Sequence, residues 1–199
     1  MTTLYVDFNS PYAYLAFERA QHVFGAQPRI EVIALAFLHR HYQRIPWSLK
    51  DTEKPEGMAD CETRARDYGL PPLRWPPGWP LASYSLAPLR AAHAAAREGA
   101  LIAFSAAAFR RHFRDGLGLT TDGDIAEVTK HADLDPQTIH AGIESQEVKD
   151  SLKNATQRAI ELGVPGVPTT QVGERLFWGD DRLAEASGTR LRGTVSSQG

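Results

Sequence analysis

Apolar and polar residues alternate from Leu4 to Phe8, and Ser10-Pro11 then opens a run, Tyr12 to Phe17, whose apolar spacing suits a helix. A second alternating stretch rich in β-branched residues, Pro28 to Leu35, predicts another strand. Strand, helix and strand in that order imply parallel pairing through a right-handed crossover. From Ala36 to about Gly163 strand signals nearly vanish and alanine-rich helical periods take over, predicting helices over 56–68, 86–98, 101–115, 122–131, 135–143 and 146–162. Leu70 to Pro80 interrupts them with six prolines or glycines, so it cannot lie inside a helix. It suits a stiff connector whose tryptophans pack onto the helices, a ligand for a partner domain, or the wall of an apolar pocket. Strand character returns in 169–172 and 175–178, which flank Gly173-Glu174 as a hairpin. The residues Gly179 to Leu183 then begin a last helix that Ser187-Gly188 is expected to end, and Arg192 to Gly199 has too little apolar content to be held down.

The resulting order is β-α-β, a helical block, then β-β-α. It divides the chain into one unit made of residues 1–36 and 163–199 and an inserted helical unit over 37–162. Composition narrows the class without adding to the architecture. A 42% share of hydrophobic residues with 23% charged is ordinary for a globular protein, and no apolar run reaches the ~18 residues of a membrane span. The formal net charge of −2 gives no general attraction to nucleic acid or anionic membranes. Met1 to Tyr5 carries neither the basic nor the apolar part of a secretory signal, so a cytoplasmic location is expected.

Cys61 is the chain's one cysteine, which excludes an internal disulfide, a Cys-x-x-Cys redox pair and a multi-cysteine zinc site. Its acidic neighbours Asp60 and Glu62 would raise the thiol pKa, so it reads as a packing residue. His39 and His41 lie two apart, a spacing that chelates from a strand, but without a cysteine cluster or a His-Glu-x-x-His pattern no metal site is expected. Ser10 is placed to cap a helix with Pro11 at its first position, which would set the serine hydroxyl at the positive end of the helix dipole, where an anion is welcome. Pro168 stands just before a strand. A cis peptide there would turn the chain and leave the Val167 N–H and C=O free to bind an extended peptide.

Asp7-Phe8-Asn9-Ser10-Pro11-Tyr12-Ala13-Tyr14-Leu15, Gly166-Val167-Pro168-Thr169 and Phe177-Trp178-Gly179-Asp180-Asp181-Arg182-Leu183 together resemble the DsbA-like branch of the thioredoxin superfamily. More narrowly, they are similar to 2-hydroxychromene-2-carboxylate isomerases and the related kappa-class glutathione transferases. The resemblance implies an α/β thioredoxin-like fold with a large helical insertion and a homodimer. It also implies glutathione, or another small thiol, bound with its sulfur beside Ser10. In dithiol relatives the segment 10–13 would read Cys-x-x-Cys, whereas here it is Ser10-Pro11-Tyr12-Ala13, so the thiol must come from outside the protein. By the same resemblance Pro11 and Tyr12 border the thiol, the Val167 main chain before Pro168 pairs with the cysteinyl unit, and Asp180 and Asp181 receive the γ-glutamyl end. Helix capping is the simpler role for those two aspartates. Lys50 and Lys54 are the lysines that stand where relatives carry one for glutathione, and Lys54 is taken as the candidate. Other positions depart from the pattern. No asparagine occurs between Asn9 and Asn154, Thr63 stands where an arginine is usual three residues after an aspartate, and Pro165 replaces an aromatic. The implied activity is thiol-dependent cis-trans isomerisation of an unsaturated aromatic substrate. A kappa-like transferase and a thiol- or peptide-binding module without chemistry are the alternatives. Tyr12, Tyr14, Trp75, Trp79 and Trp178 are candidates for an aromatic wall.

Overall fold

The computed structural model describes residues 1–195. Four strands, β1 (Thr2–Val6), β2 (Arg29–Val32), β3 (Thr169–Val172) and β4 (Arg175–Trp178), form one sheet in the order β2-β1-β3-β4. The β1–β2 pair is parallel, as the crossover predicted, and β1–β3 and β3–β4 are antiparallel. Helix α1 (Pro11–Phe24) makes the crossover. Its buried side, including Tyr14, Leu15 and Phe17, meets the aromatic cluster of Phe8, Phe104, Phe109 and Phe113. Ring centroids 5.0–6.2 Å apart at tilted or edge-on angles are the favoured arrangement for such packing.

The helical block lies between β2 and β3. It comprises α2 (Leu35–His41), α3 (Lys54–Asp67), α4 (Ala87–Arg97), α5 (Leu101–Phe109), α6 (Asp122–His131), α7 (Pro136–Glu144) and α8 (Gln146–Glu161). A π turn over Arg110–Arg114 extends α5, so the predicted helix over 101–115 continues as a single rod. Polar caps define several starts. Thr121 and Asp124 form a reciprocal capping box, while Asp135 and Ser145 each accept backbone N–H groups of the helix they precede.

The structure corrects three expectations. The second strand ends at Val32 rather than Leu35, because the Leu35 N–H donates to Asp7 Oδ2 at 2.8 Å and α2 starts there. His39 and His41 consequently sit on a helix, where a spacing of two turns them away from each other. The last helix, α9 (Leu183–Val195), continues through Gly188. A mid-helix glycine costs about 1 kcal/mol, which is less than α9 recovers by burying Leu183 and Ala186 and by packing on α1 and β3. The tail expected to be unheld falls partly in this helix, and residues 196–199 lie outside the described residues. Among the described residues no helix is long and apolar enough to cross a membrane.

Candidate active site

The turn from β1 into α1 carries Ser10 as an N-cap. With φ −99° and ψ 113° the residue is still extended, and its Oγ accepts the Ala13 N–H at 3.2 Å. That bond uses a lone pair and leaves the hydroxyl proton without an acceptor among the described residues. Opposite stands Val167, joined to Pro168 by a cis peptide as expected. Its N–H and C=O have no partner among the described residues, although the residue is largely buried. Gly166 lets Trp178 close this end, since a Cβ there would stand 3.0 Å from the indole Nε1.

Ser10, Pro11, Tyr12, Val167, Pro168, Asp180 and Asp181 all line one cleft of about 270 Å³, together with Trp47, Trp79 and Trp178. Lys54 is not among its lining residues. Its Nζ donates to the Trp79 carbonyl at 2.7 Å, so it braces the loop behind the cleft. Trp79 packs on Trp47 and Trp75, with ring centroids 5.5 and 4.7 Å apart. The Pro-rich loop is thus both connector and pocket wall. Tyr14 and Trp75 are outside the cleft: Tyr14 is core, and Trp75 Nε1 donates to Glu62.

The two aspartates have different surroundings. Asp180 is buried, with its carboxylate accepting from Arg64 Nη1 at 3.1 Å and Tyr68 Oη at 2.9 Å, while Arg19 donates to its carbonyl and lies over the Tyr68 ring. Burial raises its pKa above the ordinary value, against the opposing pull of Tyr68 and Arg64. The Asp181 side chain is 57% exposed and meets Arg64 only at 3.8 Å. Neither makes a side-chain cap. Gly179, at φ +121°, brings Asp181 back over the chain, and a Cβ at 179 would run into that carboxylate. Asp181 therefore has a charge available to a ligand, whereas Asp180 is committed within the protein.

Sequence reasoning missed Arg64. It also donates from Nε to Asp60 Oδ2 at 2.8 Å, and so ties α3 to the start of the last helical segment. The available signal was the Asp60–Arg64 spacing of four on a predicted helix, a pair that meets on one face. Tyr12 Oη donates to the same Asp60 oxygen, and burial with that anionic neighbourhood raises its pKa. Cys61 is fully buried and its thiol is pushed up to about 12. The expected direction holds, but burial is the main cause; Tyr12 opposes it, and the acidic contributions come from Asp60 and the distant Asp180 rather than from Glu62.

Asn9 joins the serine turn to the Pro-rich loop. Its Nδ2 donates to the Pro80 carbonyl at 3.1 Å, its Oδ1 accepts from Ser83, and its carbonyl accepts from Trp79 Nε1. Two buried ionisable groups flank it. Asp7 accepts N–H bonds from Asn9 and Leu35, yet burial pushes its carboxyl up to about 6 from 3.8. His112 donates from Nδ1 to the Leu117 carbonyl, and burial pushes it down to about 4 from 6.5. These shifts act oppositely on stability. The raised Asp7 value means the folded state gains as pH falls from about 6 toward 3.8, roughly 1 kcal/mol between pH 7 and pH 5. The depressed His112 value means stability present above pH 6.5 is lost as pH falls toward 4, roughly 2 kcal/mol over the same interval. Removing the imidazole should expose the Asp7 gain. His112→Gln is expected to raise the difference between pH 5 and pH 7 stability by roughly 2 kcal/mol relative to the parent, read from urea unfolding at both pH values. An unchanged difference would contradict the assignment.

A second lobe adjoins the cleft. Asn9, Leu35, His39, Pro46 and Ser48 line both, and the lobe itself encloses about 410 Å³. His39 between them is half-buried, and burial followed by Arg44 lowers its pKa, which keeps it neutral at pH 7.

Comparison with known proteins gives this geometry a family. The DSBA-like thioredoxin domain matches residues 2–188, and the chain belongs to that family. Among curated relatives, a 2-hydroxychromene-2-carboxylate isomerase from Pseudomonas putida is 26% identical over 185 residues, covering 90% of this chain and 88% of its own. Another of that name, from Sphingobium xenophagum, is 28% identical over 126 residues, covering 63% and 62%. Among solved structures, a 2-hydroxychromene-2-carboxylate isomerase superposes with a TM-score of 0.86 at 23% identity over 100% of this chain and 98% of its own. That likeness bears on the fold, and it agrees with the thioredoxin-like architecture and helical insertion expected from the sequence.

Proposed function

We propose that this protein is a glutathione-dependent cis-trans isomerase of the 2-hydroxychromene-2-carboxylate type, with Ser10 orienting and ionising the thiol. The observation that carries the reading is the pair of unspent polar groups on facing walls of one cleft: the Ser10 hydroxyl proton and the Val167 main chain. The names of the curated relatives support the same reaction class.

The residues fit a bound tripeptide thiol. The Val167 N–H and C=O would pair with its central peptide unit as a strand edge does, and Asp181 would take its ammonium. Ser10 would donate to the sulfur, and the N-terminus of α1 would favour its ionised form. Stabilising the thiolate by one pKa unit requires about 1.4 kcal/mol, within the range of one charge-assisted hydrogen bond. Glutathione, when bound, supplies a sulfur nucleophile that adds to a conjugated C=C bond, leaves a single bond free to turn, and departs as the double bond re-forms, with no net redox change. Trp47, Trp79 and Trp178 would exclude water from the sulfur.

Calorimetric titration with glutathione is expected to show saturable binding, and turnover of the hydroxychromene carboxylate should rise and saturate with the thiol. Turnover independent of added thiol, or no binding at millimolar glutathione, would sink the reading. Glutathione retained in the product would instead indicate the transferase alternative.

A further inference from the structure

We propose that the groove where α2, α4 and α8 meet binds a small organic polyphosphate, with a flat apolar end against Phe37 and the phosphates held by Arg40, Arg90 and Lys153. The groove encloses about 700 Å³, within the range of sites for small ligands, and it shares no lining residue with the thiol cleft. It stands or falls apart from the isomerase reading.

The charge here runs against that of the chain. The whole sequence has a formal net charge of −2, yet Arg40 from α2, Arg90 from α4, and Lys149 and Lys153 from α8 all line this groove, where Asp150 is the one carboxylate among the lining residues. Asp150 is engaged by Gln146 Nε2 at 3.0 Å, and Lys149 by Glu144 at 3.1 Å. Glu144 also attracts Arg90 at longer range. The charged groups of Arg40, Arg90 and Lys153 have no hydrogen-bond or ion-pair partner among the described residues. Three cations that converge from three helices repel one another, and a ligand that neutralises them relieves that repulsion. A carboxylate brings one charge and two oxygens, which a single guanidinium occupies in full. Two guanidinium groups and an ammonium on separate walls call for more charge and more oxygens, as a diphosphate has.

The apolar part of the groove suits the other end of such a ligand. Phe37 is 48% exposed and stands three residues before Arg40 on α2, so its ring and the guanidinium lie on one face of the helix. Leu86, Leu152 and Ile160 continue the apolar surface. The Thr156 hydroxyl among them is already spent: it donates to the Leu152 carbonyl at 2.9 Å and accepts the Ala34 N–H at 3.1 Å. Charge therefore comes from the surrounding side chains and apolar contact from the base, which matches a ligand that is anionic at one end and flat and apolar at the other. Helix α2 separates this groove from the thiol cleft, turning Leu35 and His39 to the cleft and Phe37 and Arg40 to the groove.

The probes are ADP, pyrophosphate and adenosine, titrated calorimetrically without added metal at low and moderate salt. ADP is expected to bind once per chain, more tightly than pyrophosphate and far more tightly than adenosine, and to weaken as salt rises. Arg40→Gln and Lys153→Gln are each expected to weaken ADP and pyrophosphate about five- to tenfold. Phe37→Ser is expected to weaken ADP about fivefold or more and leave pyrophosphate unchanged. Arg29→Gln, which removes a cation outside the groove that is already paired with Glu31, should change neither. Circular dichroism would confirm that each variant is folded, and glutathione affinity unmoved in all of them would keep the result distinct from any failure at the thiol cleft. No ADP binding at millimolar concentration, or binding indifferent to the Arg40 and Lys153 substitutions, overturns the site. Pyrophosphate bound as tightly as ADP, with ADP indifferent to Phe37→Ser, overturns it as well, because the apolar surface would then have no part. A dimer that dissociates on Arg40→Gln or Phe37→Ser in sedimentation would give the groove to a second copy of the chain, and would equally refute the proposal.

Discussion

Alanine in place of Ser10 is expected to reduce glutathione-dependent turnover by about a hundredfold to a thousandfold, the range found when one donor to a developing oxyanion is removed. The hydroxyl has two roles that the variant separates. Its lone pair caps α1 by accepting the Ala13 N–H, and its proton is unclaimed within the described protein. Losing the cap costs about 1 kcal/mol, which for a chain of this size lowers Tm by about 2–4 °C. A loss of rate far larger than the loss of stability would assign the effect to the proton. The pH–rate profile provides a second readout: without the serine donor, the limb that reports thiol ionisation should move to higher pH. Turnover and profile both unchanged in a folded variant would remove Ser10 from the mechanism.

The parts of the fold legible in the sequence are those set by near neighbours. Thr169–Val172 and Arg175–Trp178 were bounded correctly because their turn, Gly173-Glu174, and their alternation are contained in ten residues. Ser10-Pro11 declared its helix start in the same local way. Features that depend on distant partners were not legible. Helix α2 begins where it does because the side chain of Asp7, 28 residues earlier, takes the Leu35 N–H. Composition marks Asp180 and Asp181 as equals. Only the arrival of Arg64 and Tyr68 from α3 and its end makes one a buried structural anion and leaves the other largely exposed. The second lobe was illegible for the same reason. Arg44, Tyr84 and Asp7 come from three separate segments, and of these only the Asp7 segment carries a local motif. Gly188 shows the opposite failure, a local stop signal overridden by tertiary packing of the helix around it.

Arg64→Met is expected to destabilise the protein by about 3 kcal/mol, near the lower end of what breaking a buried ion pair costs, because Arg64 itself is 30% exposed. The damage would come less from the lost attraction than from the anion left behind. The Asp180 side chain is 2% exposed and would keep only the Tyr68 hydroxyl, with its carbonyl still held by Arg19. Burial already raises the Asp180 pKa, so losing the guanidinium should raise it further. The sign of the pH dependence follows. A carboxyl whose folded pKa lies above its unfolded value is relieved as pH falls, so the deficit of the variant should shrink in mild acid. Asp180→Asn in the Arg64→Met background should recover much of the loss at pH 7, because it removes the charge and can keep an oxygen facing Tyr68. Urea unfolding of the single and double variants at two pH values would test this. A loss below about 1 kcal/mol, or a double variant no more stable than the single, would mean that Arg64 is a surface cation rather than the counter-charge that lets Asp180 be buried beneath the cleft.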